Sequence, residues 1–201
     1  WVDNGWFSQQ VLKLYGAALS SNTWTIVLDA KSFFVKPVVP QQIMRNGKPM
    51  VGHLDVYPVF QRSKEIAEDL FKIQLDAQLG PGGVPFVFHN PTVRMMIAEV
   101  EQLTGENFAE WFQQQGMLTE FILYSAFLQY KYGGFYTLYD RSFGLSNINV
   151  CHSEVALFDD KLNSMKNSKT FLVSVHRNAW SKLTSSQQKS YQDFLMSRGI
   201  E

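Results

Sequence analysis

Residues 24–30, Trp-Thr-Ile-Val-Leu-Asp-Ala, constrain the fold more than any other stretch of the chain. The run is apolar, rich in β-forming residues and too short for a helix, so it predicts a buried strand. It stops abruptly at Asp29, passes Lys31, and climbs back into Phe33, Phe34 and Val35. Upstream, "GWFSQQVLKLYGAALSS" places Val11, Leu14, Tyr15, Ala18 and Leu19 on one side of a helix. A helix feeding a buried strand is the α/β pattern of a mostly parallel central sheet with helices on both faces. Ligands of such sheets sit beyond the carboxyl ends of the strands, the position that Asp29 would hold. An acid there can bind a divalent cation, a ribose hydroxyl or a sugar hydroxyl, or it can cap the next turn.

The rest of the chain continues the alternation. Four prolines between Pro37 and Lys64 and the Asn46-Gly47 turn signal mark an excursion from the main sheet. A helix is expected over Ser63–Ala77, then a Gly/Pro loop, "LGPGGVP". "FVFHNPTVRMMIAEVEQLTG" runs from strand to helix, with Asn90 as N-cap, Pro91 in the first turn and Gly105 at the end. Val93, Met96, Ile97, Val100 and Leu103 form its apolar stripe. Thr119-Glu120 opens a helix that is apolar nearly all round and therefore central. Strands are expected at Phe135–Tyr139, Asn149–His152 and Thr170–His176. Thr184 and Gln187, at capping-box spacing, start a last helix that buries Tyr191, Phe194 and Leu195. The strands at Asp29, Phe86 and Phe171 are expected to share one sheet.

Composition narrows the partners. Eighteen basic and eighteen acidic residues cancel, which argues against nucleic acid or an anionic membrane surface. No apolar run approaches the roughly 20 residues of a membrane span, so no transmembrane segment is expected. One cysteine, Cys151, excludes an internal disulfide and suits a reducing, cytoplasmic compartment. With 201 residues, a single domain spanning 1–201 is the expectation.

"GWFSQQVLKL", "VLDAKSFFVKPV", "HNPTVRMMIAEVE", "TEFILYSAFLQY" and "SVHRNAW" follow one another in an order that resembles bacterial polysaccharide-biosynthesis glycosyltransferases of the GT-A (nucleotide-diphospho-sugar transferase) superfamily. The resemblance covers Gly5 to Ile200. It implies a GT-A-like fold, with the N-terminal nucleotide-binding strands expected to be missing, since one helix alone precedes the Asp29 strand. It further implies a hexosyltransferase-type enzyme moving a sugar from a nucleotide-diphospho-sugar to a saccharide or glycan acceptor. The alternative is a non-catalytic relative, a binding or scaffolding domain of a larger polysaccharide-assembly protein.

That family reads Leu-Asp-Ala-Asp at its first strand, and the two acids hold Mn²⁺ or Mg²⁺ against the donor diphosphate. Here Asp29 and Ala30 match, as do Lys36-Pro37, but Lys31 stands where the second acid belongs. Lys31 either contacts the diphosphate itself, marks a loss of activity, or faces solvent. A divalent-cation cofactor is thus expected to be weakened by Lys31, with Asp29 and His176 as its ligands. Glu120, at a helix start that favours an ionised carboxylate, is the candidate base, although acids in first turns are common for stability alone. His89 and Arg177, both at strand ends, complete the donor-binding set of Asp29, Lys31, His89 and Arg177. Arg177 suits phosphate or an ordinary salt bridge. His53 and His152 read as structural or surface residues. Asp29, His89, Glu120 and His176 are expected to line one cleft, on the order of 10–15 Å across.

Overall fold

The structure, a computed structural model, describes residues 5–51, 54–55, 58–76, 78–79, 84–142, 144–167 and 169–200. His53 and residues 80–83 of the Gly/Pro loop lie outside the described residues. The chain opens with α1 (Gly5–Leu19), β1 (Trp24–Val27), β2 (Ser32–Phe34), β3 (Met44–Arg45), β4 (Lys48–Pro49) and β5 (Leu54–Asp55). Next come α2 (Gln61–Phe71), β6 (Gln78–Leu79), β7 (Phe86–His89), α3 (Asn90–Thr104), α4 (Phe108–Gln114) and α5 (Glu120–Tyr132). The last elements are β8 (Asn147–Val150), α6 (Phe158–Met165), β9 (Leu172–Val175), α7 (Arg177–Trp180) and α8 (Ser185–Met196). Among the described residues no helix is long and apolar enough to cross a membrane.

The chain divides into two compact units, Trp1–Val27 with Val51–Ser142, and Leu28–Met50 with Phe143–Glu201. In the first unit α5 is the central element, with every residue from Glu120 to Leu128 buried. Thr119 caps it, its hydroxyl accepting from the Ile122 N–H at 3.3 Å, and Gly133 ends it at φ 76°. α2 and α1 pack on α5, and α3 packs on α1. α1 buries Gln10, Val11, Leu14 and Ala17, while Leu19 is 85% exposed, so the inward stripe is rotated from the expected one. The cause is Gln10. Its amide oxygen accepts from the Glu120 N–H at 3.1 Å, placing a polar residue on the core face.

The expected mostly parallel central sheet is not what forms. Among the described residues β1 pairs with β7 alone, antiparallel, with Trp24 opposite His89 and Val27 opposite Phe86. β9 belongs to a separate three-stranded sheet ordered β2-β9-β8, antiparallel to β2 and parallel to β8. Hence the strands near Asp29 and Phe86 share a two-stranded sheet that the strand near Phe171 does not join, and the GT-A-like fold class is corrected to helix-rich units with small antiparallel and mixed sheets. The physical reason is visible at β7. An antiparallel strand points alternate residues to opposite edges, and β7 turns the Val87 carbonyl and the His89 N–H away from β1. The Tyr139 hydroxyl donates to the Val87 carbonyl at 2.6 Å. The Tyr124 hydroxyl lies 2.8 Å from that of Tyr139 and accepts from the His89 N–H at 3.1 Å. With His89 donating to Tyr124, Tyr124 to Tyr139 and Tyr139 to Val87, these two backbone groups are satisfied without a third strand. Ile26 in β1 is 39% exposed, so this apolar run is not covered on both faces either.

Other expectations were local and depended on turn chemistry. Asn46 and Gly47, at φ 50° and 76°, join β3 to β4 as a two-residue hairpin. α2 ends at Phe71, earlier than expected, because Lys72 turns left-handed at φ 53°. Asn90 is not the cap of α3 but its first residue, buried, donating to the Asn22 carbonyl at 2.8 Å and the Thr25 hydroxyl at 2.9 Å. Phe135–Thr137 forms a 3-10 turn in place of the expected strand, directly after the Gly133-Gly134 break. In the second unit α6 and α8 pack together over a core that includes Phe158, Leu162, Val173 and Phe194. The Thr184–Gln187 capping box opens α8 as expected.

Tyr139→Phe should lower stability by about 1–3 kcal/mol, because it leaves the Val87 carbonyl and the Tyr124 hydroxyl proton buried without partners. Tyr124→Phe should cost a similar amount, and the double variant clearly less than the sum, since both belong to one chain of bonds. Urea midpoints of the three variants test this. Strict additivity would show that the hydroxyls act independently.

Candidate functional site

The polar residues of the second unit gather at one end of its sheet for a topological reason. β8 and β9 run parallel, Val150 opposite Val175, so Cys151-His152 and His176-Arg177 leave the sheet at the same end. β2 runs the other way, with Ser32 opposite Ser174, so Asp29 and Lys31, which precede it, arrive at that end too. A turn closes there, the Ser32 N–H donating to the Asp29 carbonyl at 2.9 Å. This explains why the apolar run halts at an acid: Asp29 starts the tight turn into β2, and its carboxylate holds the Lys31 ammonium at 2.7 Å. That pair is partly open to solvent, the lysine side chain 30% and the aspartate 24% exposed.

Electrostatics ties the segments together. Burial pushes the His176 ring below its usual range, the Lys31 and His152 charges push further, and Asp29 pulls the other way. Its Nδ1 accepts from the Asn178 N–H at 3.1 Å. A neutral ring so engaged carries its proton on Nε2 and presents a donor there. The Cys151 thiol is pushed up, first by burial and then by Glu154, so it stays protonated near neutrality and is no nucleophile. Beside it, Lys161 bonds the Asn149 carbonyl at 2.7 Å and Glu154 at 2.6 Å, and Glu154 also accepts from the Cys151 N–H at 2.9 Å. The Lys161 bond, more than any other cause, holds the Glu154 carboxyl below the usual carboxylate range.

Asp29, Lys31, His176 and Arg177 are therefore brought to one sheet end, and His152, read from sequence as structural, joins them. The signal for His152 was its place at the end of an expected strand, the same signal that singled out His176. His89 and Glu120 belong to the first unit. The His89 ring packs against Trp24 at a 50° tilt with centroids 4.7 Å apart, and its Nδ1 lies 2.8 Å from the Thr92 hydroxyl. Glu120 is 2% exposed and paired with Lys13 at 3.0 Å, so this carboxylate is committed to an internal ion pair.

The donor set at the sheet end does not fit a divalent ion as arranged. The Asp29 carboxylate faces an ammonium, and His176 offers a proton where a ligand needs a lone pair. Among the described residues no three His, Cys, Asp or Glu side chains group as metal ligands do. What the arrangement can do is present N–H donors and positive charge to an anion.

These features define a small mixed-sheet unit with a polar cluster at the carboxyl end of a parallel strand pair. Residues 3–188 match a family of unknown function, DUF6492, and the chain belongs to that family. No curated protein and no solved structure matches it.

The histidines set a pH dependence. His176 is held below its usual 6.5, and so is His89, by burial and then Arg94. The unfolded chain therefore binds more protons than the folded one in the window just below that value. Stability should be full above about pH 6.5 and fall as pH drops through the window toward the folded values. Urea midpoints between pH 7 and about pH 5.5 should decline in the wild type and decline less steeply in His176→Gln. An identical slope in the variant would mean that the ring is as free to protonate in the fold as outside it.

Proposed function

We propose that the chain binds a nucleotide-diphospho-sugar at the sheet end of the second unit and serves as a glycosyltransferase domain, passing the sugar to a saccharide or glycan acceptor in the cytoplasm. One observation carries the reading. Three segments far apart in sequence, 29–31, 151–152 and 176–177, meet at the carboxyl end of the β8–β9 pair, where open sheets receive ligands. Lys31, Lys161 and Arg177 against Asp29 and Glu154 leave one positive charge among these residues, three less two, which suits a diphosphate. In the reaction the acceptor oxygen bonds the anomeric carbon as the bond to the diphosphate oxygen breaks. The diphosphate leaves with the electron pair, and the acceptor proton passes to a base.

A second reading, nucleotide-sugar binding without transfer, is favoured by Glu120. A carboxylate buried and paired with Lys13 is a poor proton acceptor, because protonating it would strand the Lys13 charge. Calorimetric titration of a panel of uridine, guanosine and thymidine diphospho-sugars separates the readings when combined with an assay for nucleoside diphosphate release. Binding that weakens about tenfold in Arg177→Ala, with release in the presence of a glycan acceptor, is expected of the transferase. Binding without release selects the second reading. No binding by a chain with intact far-UV dichroism would defeat both.

A further inference from the structure

We propose that the cation of this site is built into the chain: the Lys31 ammonium and the Nε2–H of His176 grip the diphosphate, and no divalent metal ion is required. The inference deepens the nucleotide-sugar reading above and rests on it.

A metal-dependent site needs two oxygen or nitrogen lone pairs turned toward one point. Each of the two best donors here is turned to something else. The Asp29 carboxylate holds Lys31 at 2.7 Å across the turn that enters β2, so the position beside the acid is filled by an ammonium. An ammonium has three N–H donors, and the bond to Asp29 uses one of them. Asp29 then acts as a positioning residue, fixing the lysine head at the sheet end while its remaining donors serve a ligand.

His176 gives the second argument. Its Nδ1 caps the turn that begins α7 by accepting from the Asn178 N–H. To ligate a metal through Nε2 the neutral ring would have to move its proton to Nδ1, where it would face the Asn178 proton. That cap would be lost. As a donor, His176 keeps the cap and supplies a bond to a phosphate oxygen at no such cost. Lys31 stands directly before β2 at the sheet end where His176 follows β9, so both residues face the same end of the sheet. A lysine point charge tolerates a flexible diphosphate without coordination geometry, and its pull is weakened by salt.

The test is calorimetric titration of inorganic pyrophosphate and of the nucleotide-sugar panel into the full chain, once with EDTA and once with Mn²⁺, for wild type, Lys31→Ala, Lys31→Asp and His176→Gln. Wild-type affinities with EDTA and with Mn²⁺ should agree within about threefold, and Lys31→Ala should weaken binding by about tenfold under both conditions. Lys31→Asp should bind only with Mn²⁺. The ¹⁵N spectrum of the wild type should show His176 protonated at Nε2. Wild-type binding that EDTA abolishes, unchanged affinity in Lys31→Ala, or a His176 proton on Nδ1 would each overturn the proposal. The two readings fail separately. Pyrophosphate bound without metal, alongside no nucleotide sugar bound, upholds the built-in cation and ends the donor reading. Nucleotide sugars bound only with Mn²⁺ do the reverse.

Discussion

The edge of β7 that faces away from β1 carries the Val87 carbonyl and the His89 N–H, and two tyrosine hydroxyls satisfy both. Much of the first unit follows from that substitution. Tyr124 comes from α5 and Tyr139 from just beyond the 3-10 turn, so the bonds fix the central helix against the strand pair. Around the hydroxyls the rings of Phe86, Phe88, Phe121 and Phe135 close ranks, with Phe86 stacked on Phe121 at 4.7 Å and Phe135 on Tyr139 at 4.3 Å. Burial shifts the Tyr124 and Tyr139 hydroxyls far toward the neutral form, so they remain proton donors across the whole physiological range. A third strand would have supplied the same backbone bonds but no aromatic surface. Here one set of side chains does both.

The second unit solves a different problem with the same economy of means. Its three strands leave one end at which both chain exits of the parallel pair meet the entry of the antiparallel strand. Polar side chains at strand ends are cheap, because the pairing ladder has stopped and water can reach them. The result is a cluster whose members restrain one another: Ser174 bonds the Asn149 side chain at 2.8 Å, Asn149 donates to Cys151 at 3.2 Å, and Lys161 bonds the Asn149 carbonyl. Such restraint limits the side-chain entropy that binding the proposed diphosphate would cost.

Features governed by a few neighbouring residues were legible in the sequence. Thr119 before α5, Thr184 before α8, Gly105 after α3 and the Asn46-Gly47 hairpin all rest on contacts within one turn. Strand direction was not legible, because Trp24–Val27 would read the same beside a parallel or an antiparallel partner, and the tyrosines that close the far edge lie about a hundred residues on. α4 was missed although Asn107 caps it, its carboxamide oxygen accepting from the Ala109 N–H at 3.0 Å. In the candidate site, Asp29, His176 and Arg177 stood out by strand-end position, and Lys31 as a basic residue two positions past the acid. The pairing of Glu120 with Lys13 did not, for an acid at a helix start looks alike whether its partner is solvent, substrate or a lysine on another helix.

Each unit is assembled from two separated stretches of chain, and β2 finds its partner only at β9, Ser32 facing Ser174. During synthesis, residues 28–50 therefore leave the ribosome long before the strand that completes their sheet. The intervening stretch from Val51 to Ser142 holds most of the first unit and can condense meanwhile. Closing so long a loop is a slow step, and until it happens the edge of β2 has no ladder. Lys31 and Lys36 flank that waiting strand on either side, and charges so placed discourage one nascent chain from pairing with another.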